Sequence, residues 1–130
     1  MTGRLSDPVP SLRGMGLTMG MVTVDCADPQ ELATFWCGVL GAEVTADYGE
    51  FVMIAPAEGA ALGFQRVPEG RAGKNRVHPD LTTDDRVGET ARVVGLGARV
   101  LAEHVGEVPG LDWTTLADPE GNEFCIAEGH

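Results

Sequence analysis

The chain is poor in positive charge. Nine Lys and Arg stand against twenty Asp and Glu, for a formal charge of −11, and Lys74 is its single lysine. Nucleic-acid backbones and anionic membrane surfaces both need clustered cations, so neither is expected as a partner; cationic or neutral ligands remain. Cysteine is scarce and odd in number. Cys26, Cys37 and Cys125 follow no CxxC spacing, which argues against a disulfide framework or zinc knuckle and suits a reducing compartment. Long apolar runs are missing too: Leu17 to Val24, the longest uncharged one, is too short to span a bilayer. Met1 to Gly16 carries Arg4, Asp7, Pro8, Pro10 and Arg13 without an apolar signal segment. It reads as a flexible arm, and the protein is expected in the cytoplasm. The glycines between Gly14 and Gly20 lack the strand-then-helix setting of a dinucleotide loop.

What is present is an ordinary globular mixture, 43% hydrophobic and 22% charged over 130 residues. A chain of that length buries about two-thirds of its unfolded surface, enough for one domain. Its organisation is a repeat. Asp28, Leu40, Gly41, Ala42 and Val44 recur at a constant offset as Asp84, Leu96, Gly97, Ala98 and Val100. In the first copy Val22 to Cys26 is β-rich, and Asp28-Pro29-Gln30-Glu31 supplies an N-cap, a proline at N1 and a capping-box glutamate. Leu32, Phe35, Trp36, Val39 and Leu40 then form one helical stripe, which Gly41 ends. Short β-like runs follow at Glu43 to Asp47, Phe51 to Ala55 and Ala61 to Val67.

The second copy has a strand at Val77 to Thr83, a helix capped by Asp84 with Val87, Ala91 and Val94 inward, and strands at Ala98 to Glu103, Leu111 to Ala117 and Glu123 to Ala127. The last two are joined by the turn formers Asp118-Pro119-Glu120-Gly121-Asn122. The fold class is therefore α+β, with two tandem βαβββ modules at 17–67 and 76–128 and a polar linker at 68–75.

With these residues in view, the sequence resembles the vicinal oxygen chelate superfamily of glyoxalase I, bleomycin-resistance proteins and extradiol dioxygenases. Within it, the small glyoxalase-like domain proteins are most similar. The resemblance is carried by Val22 to Asp28, Phe35-Trp36 followed by Val39-Leu40-Gly41-Ala42, His78-Pro79-Asp80-Leu81, and Asp118 to Phe124. It implies sheets curled into an open eight-stranded cup, a small-molecule ligand and pairing as a homodimer. It also implies four metal-ligand positions, which fall here on Met21, Gly63, His78 and Cys125. Only His78 keeps the family's residue type, so a degenerate site without a bound metal is expected. Cys125 remains a weak candidate beside His78 and an Asp or Glu for a non-standard zinc site.

Each candidate has a plainer alternative. His78 and Asp80 share a strand face and suit proton transfer, since imidazoles titrate near neutrality; otherwise they bond at a strand start. Asp25 and Asp80 are candidates for a carboxylate pair, or are simply solvated. Trp113, on the seventh strand, suits stacking on a planar ligand. Thr23, Asp25, Gln65 and Glu123 are expected to line the cup and bind the ligand, by strand alternation with the family positions. Phe35, Trp36 and Cys125 read as core, the cysteine without a neighbouring cation to activate it. His104 and His130 are expected in solvent without a role, and the cluster Arg66, Arg71, Lys74 and Arg76 as linker charge. The functional expectation is a binder of a small amphipathic or aromatic molecule, cationic for preference. The alternative is a lyase, isomerase or dehydratase using His78 and Asp80.

Overall fold

The computed structural model describes residues 16–70, 73 and 75–129. The expected arm therefore lies outside the described residues except for Gly16, as do Arg71, Lys74 and His130. Two four-stranded sheets, each with one helix, make a two-module α+β fold. The first module runs β1 (Met21–Cys26), α1 (Pro29–Leu40), β2 (Glu43–Asp47), β3 (Phe51–Ala55) and β4 (Ala61–Arg66). The second runs β5 (Asp80–Thr82), α2 (Arg86–Leu96), β6 (Arg99–Val108), β7 (Leu111–Ala117) and β8 (Glu123–Gly129). The strand orders are β1-β4-β3-β2 and β5-β8-β7-β6, so each module's first strand returns parallel to its last.

The stripe on α1 sets the core. Leu32, Phe35, Trp36 and Val39 are buried, and Gly41, at φ 65°, takes the left-handed position that closes the helix. Phe35, Trp36 and Phe124 of β8 meet edge to face, with Trp36 and Phe124 centroids 4.9 Å apart. One core thus serves both modules. The Trp36 indole donates to Asp118 at 3.1 Å, and that buried carboxylate also accepts the backbone N–H groups of Glu120 and Asn122. The loop expected from its turn formers is therefore anchored to α1 of the other module.

Three local expectations need correction. Asp85, not Asp84, caps α2: its side chain accepts from Gly88 N, while Asp84 is exposed. The inward face of α2 is Arg86 and Val93, whereas Val87, Ala91 and Val94 face outward, Val87 being 68% exposed. Arg86 is tolerated inside because its guanidinium reaches Glu103 at 3.0 Å and Thr114 at 2.6 Å. The fifth strand is only three residues long, and His78 precedes it; β6 instead runs on to Val108.

Candidate functional site

β5, β8, β7 and β6 turn alternate side chains away from the core. Phe124 and Ile126 point in, so Glu123, Cys125 and Ala127 point out, and the pairings Thr115 to Cys125 and Trp113 to Ala127 put those residues on the same outer face. The result is a hollow of about 930 Å³ lined by His78, Asp80, Trp113, Thr115, Glu123 and Cys125 among others. Five sequence candidates thus come together: His78, Asp80, Trp113, Glu123 and Cys125. The other three do not join them, because Thr23 and Asp25 lie on β1 and Gln65 on β4, in the first sheet. Gln65 spends its amide on the carbonyls of Glu50 and Arg66. The suggested carboxylate pair is not formed at this hollow, which Asp80 lines and Asp25 does not.

One wall of the hollow is polar. His78 Nδ1 lies 3.3 Å from Asp80 Oδ1, and Asp80 pairs in register with Cys125. Donor atoms of His78, Asp80 and Cys125 all lie within 4.8 Å of one another, the one such group among the described residues. Burial raises the Cys125 thiol above its ordinary value, and the charge of Asp80 adds to this, while a hydrogen bond with Thr115 at 3.5 Å opposes it. A thiol held protonated is a poor nucleophile.

Another part of the lining is aromatic. His104 stacks on Trp113 with centroids 4.6 Å apart and planes inclined by 15°, and its Nδ1 meets Glu107 at 3.0 Å. His104 was expected in solvent; it is instead half-buried and covers one face of the indole. The signal lay in the turn Pro109-Gly110. Extending a hairpin back from it pairs β6 with β7, and a bulge between His104 and Val108 sets His104 opposite Trp113. Among the described residues no Lys or Arg lines this hollow.

Met21 and Gly63, two of the four positions that the resemblance implies as ligands, lie side by side in the first sheet. A Cβ on Gly63 would sit 2.6 Å from the Phe51 ring and 3.2 Å from the Met21 sulfur. A larger side chain there would have to displace the phenyl ring.

A family model described as a glyoxalase-like domain matches residues 21–127. Among solved structures the chain is similar to a glyoxalase/bleomycin resistance protein/dioxygenase family enzyme from Burkholderia phytofirmans PsJN, at TM-score 0.77 and 15% identity over 88% of this chain and 100% of that one. It is similar to the fosfomycin resistance protein FosX from Mesorhizobium loti at 0.69 and 17%, over 89% and 93%. It is also similar to a point mutant of FosX from Listeria monocytogenes, complexed with Mn(II) and 1S,2S-dihydroxypropylphosphonic acid, at 0.72 and 17%, over 89% and 92%. No curated protein matches the chain. At these identities the structural likenesses establish the fold.

Proposed function

The chain belongs to the glyoxalase-like domain family, and from that premise we propose that it binds a small planar or amphipathic cation in the hollow of its second sheet. One observation carries this reading: the stacked Trp113–His104 pair lines one hollow with Asp80 and Glu123, and no Lys or Arg is among its described lining residues. Indole faces attract cations, and carboxylates in a partly dry recess add to that. The same lining disfavours a phosphonate like the one in the FosX complex, since Asp80 and Glu123 would repel it and no Lys or Arg among the described lining residues would offset them. The planar monocation 9-aminoacridine is expected to bind, at least tenfold more weakly in Trp113→Ala, with fosfomycin failing to compete. Equal affinity in the variant would sink the assignment. Pairing of two chains is part of this proposal, supported by the apolar side chains left exposed along β6.

A second reading rests on the clustered donors of His78, Asp80 and Cys125. A thiolate, an imidazole and a carboxylate fit zinc, with a fourth position left open; they do not fit the hard, oxygen-liganded character of Mn(II). Bound there, zinc would polarise a substrate oxygen or lower the pKa of a water. The chain's own part would be to hold the ion through those three side chains, with Thr115 steadying the sulfur at 3.5 Å and Asp80 fixing the His78 ring at 3.3 Å. Elemental analysis after zinc exposure and desalting tests this: about one zinc per chain, lost in His78→Ala, would favour a lyase, isomerase or dehydratase over a simple binder. No retained zinc would dismiss this reading.

A further inference from the structure

A second cavity, of about 670 Å³, lies on the opposite, helix-facing side of the sheets, between the two modules. Its origin is geometric. α1 packs chiefly on β3 and β4, which leaves the inner face of the edge strand β1 incompletely covered, so that Val22 stays 42% exposed. The lining takes Val24, Leu62, Trp36 and Leu40 from the first module, and Val77 and Pro79 before β5 and Leu81 within it from the second. The lining is thus mostly hydrocarbon, and the volume falls in the usual range for a small-molecule site, about 300–1,000 Å³.

Its polar groups converge at the margins. Asp118 is already committed, its oxygens taken by Trp36, Glu120, Asn122 and the Asn122 amide, so it stiffens the wall and leaves little for a ligand. Glu58, on the hairpin between β3 and β4, supplies the charge that this cavity does not share with the hollow; Glu123, at the start of β8, borders it but turns outward to the hollow. Among the described lining residues there is no Lys, Arg or His. The cavity is therefore apolar within and negative at its edge.

We propose that this inter-module cavity is a second ligand site, which takes a molecule with an apolar body and one ammonium or amidinium group. The apolar body lies against Trp36, Leu40 and Leu62, and the cation sits at Glu58. The site is distinct from the hollow on the second sheet: among the described lining residues they share Glu123 alone.

The two tryptophans make the sites separable, because Trp36 lines this cavity and Trp113 lines the other. In full-length Trp113→Phe protein, Trp36 is the only tryptophan, and titration with octylamine is expected to change its emission saturably. Octanoate, of the same chain length and opposite charge, is expected to bind at least tenfold more weakly. Glu58→Gln on that background is expected to weaken octylamine severalfold; being at an exposed turn, it does not threaten folding. Val22→Phe, which fills the cavity from its exposed edge, is expected to abolish the response. A Trp36 signal that does not saturate, or equal affinity for octylamine and octanoate, overturns the proposal. So does a response seen only from Trp113 in Trp36→Phe protein. Failure of 9-aminoacridine to bind would leave this site standing, and loss of the Trp36 response would leave the hollow standing.

Discussion

Single residues decide what each surface offers. Gly63 matters for the space it vacates: the Phe51 ring occupies the place where a side chain at that position would stand, so the outer face is hydrocarbon at that point. Cys26 shows the opposite case, a reactive group made inert. It is buried, its thiol faces the Gln65 carbonyl at 3.6 Å, and burial followed by the Glu120 charge pushes its pKa from 9.0 up to about 11. The folded state therefore keeps a proton that the unfolded chain releases earlier. The corresponding stability is intact below pH 9.0 and is lost as pH rises from there to about 11. One such proton changes stability by at most about 1.4 kcal/mol per pH unit. In urea melts across that alkaline range, Cys26→Ala is expected to be less stable throughout but to lose stability less steeply than the parent. Burial also raises Cys37 and Cys125, so some slope will persist. Identical slopes in parent and variant would contradict the assignment.

At the level of elements, the two helices differ in how much of their stability is local. α1 was legible because its cap, proline and stripe agree, and the structure keeps all three. Its termini nevertheless borrow from the other module. The Glu120 carboxylate takes the N–H groups of Ala27 and Asp28, a place where the capping box would have put Glu31, and Arg92 donates to the carbonyls of Gly38 and Val39. Opposite charges at opposite ends suit the helix dipole. α2 was legible only at its end, Leu96-Gly97-Ala98, because Val93 and Val94 are adjacent and either can define the buried stripe. The choice falls on Val93, and with it Arg86 goes inward to Glu103 and Thr114, residues distant in sequence that no local pattern announces. The cap moves with that phase. Asp85→Ala is expected to cost about 1 kcal/mol, and Asp84→Ala less than about 0.5 kcal/mol, in the free energy from urea unfolding. Equal effects, or a larger one at Asp84, would mean that the repeat and not the helix phase places the cap.

In the whole molecule, both sheets turn inward to one core and leave their outer faces open, which is why Thr23, Asp25 and Gln65 fall away from the site that His78 and Trp113 share. Strand alternation told which face each residue takes, but not where the two sheets stand relative to one another; that depends on the Trp36–Phe124 contact and its Asp118 hydrogen bond. The outward arrangement also exposes β6 as a ten-residue edge strand. It carries Val100, Leu101, Val105 and Val108 at 41–59% exposure, with Leu111 just beyond at 39%. A long apolar edge invites further pairing unless something covers it. Arg99, Glu103 and Glu107 put charge on this strand, Glu107 being tied to His104, but they leave the valines bare. A second copy is the expected cover. Light scattering at micromolar concentration should then give twice the 13.7 kDa chain mass. Leu101→Lys with Val105→Lys should shift the protein to the single-chain mass while its circular dichroism is unchanged, because both positions are already exposed. A single-chain mass for the parent at every concentration would refute the pairing, and a double mass that survives both lysines would place the interface away from β6.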